Sequence, residues 1–307
     1  MLAKTLDCFE NLEVPPSLQP ELLVADNGST DHTREVVRKY SAARIPVRYF
    51  LEPAPGKSRA LNTSIAAARG EVLLFTDDDV IPAKDWLEGM GRPLLNRECD
   101  AAVGRIELGK DLCRSWMTPM HEMHLAVFHG ERLELIGANM GFHRSVLERV
   151  QGFDVELGPG ALGLYEDALF SWQLAEAGCR LKYLPDALVV HQPDPLRLTR
   201  FNWLSRGRVH GASMAYVMHH WLHESLPSPR LQYFLWALKL RLRCLLDRPR
   251  AMEAEGIARW EMGYVREMEL CRQYLVERRR PRNYARRGLR KLRLPSSRQT
   301  CPSSSNI

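Results

Sequence analysis

Apolar positions in the first half of the chain alternate between two spacings. Short apolar runs bounded by Gly, Pro, Asn or Asp predict buried strands at 21–26, 47–51, 71–77 and 101–108. Apolar residues spaced three or four apart predict helices at 2–12, 32–43, 57–68 and 83–95. This alternation predicts an α/β fold with a mostly parallel sheet and helices on both faces.

The pattern becomes less regular after residue 108. It predicts helices at 114–128, 144–150 and 165–177, a glycine-rich loop at 152–163, and short strands at 180–184 and 187–191, and it assigns no element to 137–142. From Pro195 onward only helical spacing occurs, at 198–223, 232–246 and 250–277. We therefore expect an α/β domain over 1–195, a helical C-terminal region over 196–292, and a disordered Ser/Pro-rich tail over 293–307.

The composition favours a globular protein in a reducing compartment. Of the 307 residues, 45% are hydrophobic, which is enough for a sizeable core. The seven cysteines are scattered and form no C-x-x-C pair, so neither a disulfide framework nor a zinc site is predicted. The first residues have the pattern of an amphipathic helix rather than a signal peptide, and no apolar window is long enough for a transmembrane helix. These features predict a cytoplasmic protein.

Three consecutive carboxylates, Asp77, Asp78 and Asp79, end the strand predicted at 71–77. Ligands of parallel α/β sheets bind at the carboxyl ends of the strands, so the triplet is expected in a cleft. Side chains alternate along an extended segment, which would place Asp77 and Asp79 on one face as oxygen ligands for a hard divalent cation. Taken alone, the triplet fits an acidic loop that caps the next helix equally well.

Other polar residues also follow predicted strands or open predicted helices. Asp26 ends the strand at 21–26, and His191 ends the strand at 187–191. Glu166 and Asp167 open a helix behind the glycine-rich loop. Acids at a helix N-terminus are stabilised by its dipole, so helix capping is an alternative to a catalytic role for this pair. A single histidine at a strand end is more often structural than a ligand.

Six stretches resemble, in their order along the chain and in their residues, the motifs of the family 2 glycosyltransferases with a GT-A fold. They are LLVADNGSTD at 22–31, GKSRALN at 56–62, RGEVLLFTDDD at 69–79, GANMGFHR at 137–144, GFD at 152–154 and YED at 165–167. The resemblance covers about 1–195. It implies an inverting, hexosyltransferase-like enzyme that moves a sugar from a nucleotide-sugar donor, a UDP-sugar, to a hydroxyl of a glycan or lipid-linked acceptor. It also implies a cofactor, Mg²⁺ or Mn²⁺, and a role in cell envelope polysaccharide biosynthesis.

The resemblance assigns roles to individual side chains. It implies that the donor is bound by Asp26, Asn27, Ser29, Lys57, Asn62, Asp77, Asp78 and Asn139. It implies that the metal ion is held by Asp79, Asp77 and His191. It implies that Asp167, in the pair with Glu166, is the general base that deprotonates the acceptor hydroxyl. An exposed cation in the first turn of a helix is the alternative for Lys57.

The chain departs from the family at its N-terminal end. Family members begin with a strand before the first helix, whereas this chain begins inside that helix. We therefore expect a sheet that lacks a central strand, and a chain of low stability, because two neighbouring strands would be unpaired. The alternative function is a glycosyltransferase-like remnant that binds a nucleotide or a partner without turnover. A nucleotidyltransferase is less well supported, because no basic, glycine-rich loop follows the first strand.

The C-terminal region combines apolar and basic residues. Residues 226–246 mix leucine and aromatic side chains with Arg and Lys, which suits a helix at a membrane surface or a packed helix with a basic outer face equally well. The net charge is +6, and 278–307 contribute ten Arg or Lys and no acid. This basic arm could bind anionic lipid or remain solvated, but it lacks the aromatic residues of a specific nucleic-acid reader. We expect a peripheral protein on the inner face of the plasma membrane.

Overall fold

The computed structural model describes residues 1–40 and 44–292, so the expected disordered tail lies outside the described residues. The helices and strands alternate as the apolar spacing predicts through the first half of the chain. They are α1 (Leu2–Glu10), β1 (Leu22–Asp26), α2 (Thr33–Arg38), β2 (Val47–Leu51), α3 (Lys57–Ala67), β3 (Val72–Thr76), β4 (Val80–Pro82), α4 (Trp86–Leu95), β5 (Ala101–Leu108), α5 (Pro119–His124), β6 (Asn139–His143), α6 (Glu166–Glu176), β7 (Leu181–His191), α7 (Arg200–Val217), α8 (Pro229–Leu246) and α9 (Arg259–Glu277).

The α/β class is confirmed, but the strand directions are more mixed than expected. Five strands form one sheet in the order β3-β6-β5-β7-β4, and β1 pairs with β2 separately. The pairs β1–β2 and β5–β7 are parallel, whereas β6 runs antiparallel to both β3 and β5, and β4 runs antiparallel to β7. The main cause is β6, a strand to which the sequence pattern assigns no element. Its five residues are all buried, and it inserts between two strands that would otherwise have been neighbours.

The sheet is interrupted between β1 and β3, where the resemblance predicts a missing strand. Both strands run in the same direction. Their starts lie together, because the Arg69 amide before β3 donates to Glu21 Oε1 before β1 at 2.7 Å. Their ends also lie together: the Gly56 amide donates to Asn27 Oδ1, just after β1, at 2.7 Å, and the adjacent Lys57 pairs with Asp77, just after β3. Among the described residues, each of these strands is hydrogen-bonded to a neighbouring strand on one side only. A cavity of about 1420 Å³ runs between them, with an apolar part lined by α1, β1, α3 and β3.

Several predicted elements are shorter or joined in the structure. The helix expected at 114–128 is confined to α5, because Ala126 has a φ of 61° and Phe128 pairs with Ile106. The helix expected at 250–277 begins only at Arg259. The two strands expected at 180–184 and 187–191 form one strand, β7, with a bulge opposite Gly104 and Arg105. The bulge contains a proline, which cannot donate to the ladder.

The C-terminal helices pack on the α/β domain and on one another. Leu198, Trp203 and Leu204 share a buried cluster with Leu112 and Leu125 of the domain. Helices α7 and α9 approach closely at a glycine: a Cβ on Gly211 would lie 2.2 Å from the Arg266 carbonyl oxygen. No helix within 1–40 and 44–292 is long and apolar enough to cross a membrane.

Two cations of the basic arm, Arg280 and Lys291, are docked on the protein, whereas most of its other arginines are exposed. Lys291 Nζ lies 2.5 Å from Asp154 Oδ1, and Arg280 pairs with Glu156 and Glu277. These cations neutralise carboxylates of the α/β domain and of α9, so they are not available for an external polyanion. The expectation of a free cationic arm is therefore wrong for these two residues.

Candidate active site

The polar end of the cavity lies where β1 and β3 end. Among its lining residues are Asp26, the aspartates 77–79, Lys57, Glu166 and Asp167. The first and last of these residues are more than a hundred positions apart in the sequence. The fold brings them together because strand ends and helix starts meet at one edge of the sheets. A cleft that collects this many titratable groups is the candidate active site.

Asp26 is held by a small hydrogen-bond network. Its carboxylate accepts the Ser29 amide at 2.8 Å and the Tyr49 hydroxyl at 2.7 Å. Burial by itself would raise the pKa of Asp26, but these hydrogen bonds outweigh it and hold the pKa below its ordinary value. Asp26 is therefore a fixed, ionised carboxylate. Tyr49 was missed by the sequence analysis, since nothing in the β2 pattern distinguishes it from an ordinary strand tyrosine.

Three of the predicted donor-binding side chains have main-chain partners instead. Asn27 donates to the carbonyls of Glu52 and Ala54. Asn62 accepts the Phe153 amide at 2.9 Å and donates to the Phe153 carbonyl at 2.8 Å. Asn139 is fully buried; it accepts from the Trp86 indole and donates to two carbonyls. These amides hold the loops and strands that shape the cleft.

Lys57 forms an ion pair with Asp77 inside the cavity. Burial would lower the pKa of Lys57, but Asp77 and then Glu166 and Asp167 raise it above its ordinary value. Lys57 is therefore a permanent cation among carboxylates, and not the exposed first-turn lysine that the sequence left open. The Asp77 carboxylate is thus paired with Lys57, whereas Asp79 has other neighbours.

Asp79 instead faces His191 across a gap with no hydrogen bond. His191 Nδ1 lies 2.6 Å from the Leu125 carbonyl oxygen, which can only accept, so Nδ1 carries the proton and Nε2 presents a lone pair. That Nε2 lies 3.3 Å from Asp79 Oδ1, both side chains are buried, and neither atom has a hydrogen-bond partner. Two buried electron pairs facing each other fit a cation between them, with the Leu125 carbonyl orienting the histidine.

The protein supplies only part of a metal coordination shell. Within the described residues, no three His, Cys, Asp or Glu side chains converge on one point. Mg²⁺ commonly takes one or two protein ligands and completes its shell with water and substrate phosphates. Burial would raise the pKa of Asp79, but neighbouring positive charge, including that of Arg197, whose Nη2 lies 3.4 Å from Asp79 Oδ2, holds it below its ordinary value. The neighbouring Asp78 is exposed at its surface, but partial desolvation by the surrounding protein and then the charges of Asp79 and Asp77 raise its pKa.

Glu166 and Asp167 occupy the first turn of α6, which follows Tyr165 in a left-handed conformation. Asp167 accepts the Gly137 amide at 2.9 Å and the Ala168 amide at 2.8 Å, so its carboxylate has a fixed orientation. Burial, and then the charge of Asp167, raises the pKa of Glu166 above its ordinary value. The glycine-rich loop covers this pair: a Cβ on Gly158 would lie 3.1 Å from Glu166 Cδ.

Two arginines of the C-terminal region also belong to the site, although the sequence analysis assigned that region no chemistry. Arg197 and Arg206 both line the cavity. Arg206 Nε is buried and makes no hydrogen bond, and no salt bridge of Arg206 occurs in the described part of the chain. Burial and then Arg197 lower the pKa of Arg206 to about 10, so it remains a cation at neutral pH. No sequence signal marked them, because arginines are common on exposed helix faces.

Comparison with known proteins assigns the family. Residues 1–151 match the family described as Glycosyl transferase family 2. These residues, the N-terminal half of the chain, belong to this family. The acids Asp26 and Asp77–Asp79 fall within the matched residues, whereas Glu166, Asp167, His191 and both arginines lie beyond them.

Several curated proteins resemble this chain. The pre-mycofactocin glycosyltransferase of Mycobacterium tuberculosis is 30% identical over 208 residues, which cover 63% of this chain and 41% of that protein. The glycosyltransferase AglE of Haloferax volcanii is 34% identical over 184 residues, which cover 59% of each chain. The chain thus spans about two fifths to three fifths of these relatives. The crystal structure of S. aureus TarS 1–349 in complex with UDP aligns with 80% of this chain and 69% of that chain, with 18% identity and a TM-score of 0.48.

Proposed function

We propose that this chain is an inverting glycosyltransferase that moves a sugar, a hexose, from a nucleotide-sugar donor to a hydroxyl of a glycan or lipid-linked acceptor. The observation that carries the proposal is the pair of unsatisfied buried atoms, Asp79 Oδ1 and His191 Nε2, facing each other across 3.3 Å near the cavity that holds Glu166 and Asp167. A cation position beside two carboxyl groups suits a reaction in which a diphosphate leaves and a hydroxyl is deprotonated.

Asp79 and His191 are the proposed metal ligands, for Mg²⁺ or Mn²⁺, and Asp77 remains a candidate that would first have to leave Lys57. A bound divalent cation would offset the negative charge that develops on the departing nucleoside diphosphate. Lys57 and Arg206 supply positive charge in the same cavity. Asp26, with Ser29 in its turn, is proposed to bind the nucleoside, and the UDP-sugar class follows the resemblance of the sequence to the family.

Asp167 is the proposed general base. The acceptor oxygen attacks the anomeric carbon, the bond from that carbon to the diphosphate oxygen breaks, and Asp167 takes the hydroxyl proton. The amides of Gly137 and Ala168 fix the direction of this carboxylate. One displacement with one base inverts the anomeric centre. Glu166 lies beside it with a raised pKa, so it is the second candidate, and variants of each residue distinguish them.

A nucleotide-binding remnant without turnover is the second candidate function. It is favoured by the break between β1 and β3, because the β1 end that carries Asp26 lacks a strand on its inner side. Nucleotide-sugar hydrolysis with Mn²⁺ tests both proposals. We expect turnover that falls at least about a hundredfold in Asp79→Ala and Asp167→Asn. Donor binding without any turnover, detected as a raised melting temperature, would instead support the remnant.

The proposed setting is cell envelope polysaccharide biosynthesis on the cytoplasmic face of the plasma membrane, with peripheral attachment through the C-terminal helices. The support is the amphipathic, basic character of α8. Nucleic acid is not a proposed partner, because Arg280 and Lys291 of the basic arm pair with carboxylates of the protein.

A further inference from the structure

Helix α8 has two apolar faces, and only one of them is packed. Trp236 stacks near Tyr264 of α9, with ring centroids 5.4 Å apart, and Leu240 packs on the buried cluster around Trp203. The other face is exposed and consists of Leu231, Phe234, Leu235, Leu238, Leu242, Leu245 and Leu246. Phe234 is 62% exposed and Leu245 is 79% exposed. A helix packed on one side ordinarily carries polar residues on the other, so this apolar face needs a covering partner.

The exposed apolar residues form one continuous stripe. They recur every three or four positions, which confines them to an arc of about 120° at about 100° of rotation per residue. The same rotation places Arg230 and Arg241 on one border of the arc and Lys239 and Arg243 on the other. The acid Asp247 at the end of α8 pairs with Arg243 at 2.6 Å. The stripe is therefore apolar in the middle, with Arg230 and Arg241 along one edge and, along the other, Lys239 and the acid-paired Arg243.

Exposed apolar residues also occur outside α8, beside a residue of the candidate active site. Met252 is 43% exposed, and its carbonyl accepts the Phe201 amide at 3.0 Å. Phe201 and Leu196 are 59% and 65% exposed. Between them in sequence lies Arg197, whose guanidinium reaches Asp79. Exposed apolar side chains thus occur both on α8 and beside Arg197, which lines the cavity.

We infer that this α8 surface, defined as the seven exposed apolar residues of α8 with Leu196, Phe201 and Met252, docks on a lipid bilayer that contains anionic lipid. Apolar side chains in a central stripe would enter the boundary between headgroups and acyl chains, and bordering Lys and Arg would contact phosphates. A second copy fits less well, since packing two α8 surfaces together would bring cationic borders near each other. The inference rests on the proposed function in one respect: docking would open the cavity towards a lipid-linked acceptor.

Vesicle co-sedimentation tests the surface without any sugar donor. We expect the full chain to bind vesicles of mixed phosphatidylglycerol and phosphatidylcholine, and to bind phosphatidylcholine alone less well. Leu242→Glu should weaken binding at least about tenfold, because a leucine leaves the apolar phase and a charge enters it. Arg241→Gln should weaken binding to the anionic vesicles only, by about fivefold. Val276→Glu is the matched control, because Val276 is 49% exposed at the end of α9, outside the α8 surface.

The outcomes separate the alternatives. Equal binding by Leu242→Glu and Val276→Glu, or no binding to anionic vesicles, would overturn the inference. So would a concentration-dependent dimer in sedimentation velocity that Leu242→Glu abolishes, because the surface would then join two copies. Both variants should keep the parent melting temperature, which excludes unfolding as the cause. Donor hydrolysis measured without vesicles tests the proposed function separately, so either conclusion can fail alone.

Discussion

Replacing Asp154 should lower the stability of the whole protein and not only loosen the structure around the residue, because this carboxylate joins the C-terminal segment to the α/β domain. It is 5% exposed. Its Oδ2 accepts the Tyr216 hydroxyl at 2.7 Å and the Tyr284 hydroxyl at 2.6 Å, and its Oδ1 lies 2.5 Å from Lys291 Nζ. Asp154→Asn keeps the size of the side chain and removes its charge, so the effect reports the electrostatic role of the residue.

The expected loss follows from the partners that stay behind. Removing one member of a buried ion pair costs about 3–5 kcal/mol, because the other charge stays buried without compensation. The Lys291 side chain is 7% exposed, but it keeps a second partner, Glu156 Oε1, at 3.2 Å. We therefore expect the lower end of that range, about 3 kcal/mol.

Urea unfolding followed by tryptophan fluorescence measures the change in free energy of unfolding. The control is Asp186→Asn, because Asp186 is exposed in the bulge of β7. The double variant with Lys291→Met no longer has the unpaired, buried ammonium group. Part of the lost free energy of unfolding should therefore be recovered, and the effects of the two single substitutions should not add. A loss below about 1 kcal/mol for Asp154→Asn, or strict additivity with Lys291→Met, would refute the assignment of this carboxylate as a buried anchor.

Three further predictions follow from packing, charge and the broken sheet. Gly211→Ala should destabilise by about 1–3 kcal/mol in urea, since its Cβ would lie 2.2 Å from the Arg266 carbonyl oxygen, whereas Gly263→Ala, with open space, should be neutral or stabilising. Glu166→Gln should raise the melting temperature above neutral pH and not in acid. The pKa of Glu166 is raised in the folded protein, so the stability of the wild type is fully present below the ordinary carboxyl range and is lost as the pH rises through the folded pKa. An equal change in melting temperature at both pH values would contradict this prediction. A separate apolar, strand-forming peptide should raise the melting temperature by pairing with β1 and β3, and a Gly/Ser peptide of equal length should not; equal melts would show that the gap takes no strand.

The sequence by itself determined the local elements with the strongest patterns. Apolar runs at 21–26 and 71–77 appear as β1 and β3 within one residue at each end, because a continuous apolar run can be buried only as a regular element. The acids that end them line one cavity, since the carboxyl ends of co-directional strands meet at one edge.

Only the tertiary structure decided what each polar side chain contacts. Asn139 had the sequence context of a donor-binding residue, yet its amide is used by three groups of the core. Arg206 had the context of an exposed helix residue, yet it lies in the cavity. Lys291 belonged to a run of charge that predicts solvation, yet it pairs with Asp154, far away in the chain. Periodicity is a local property, whereas these contacts depend on which distant segments the packed core brings within hydrogen-bond distance.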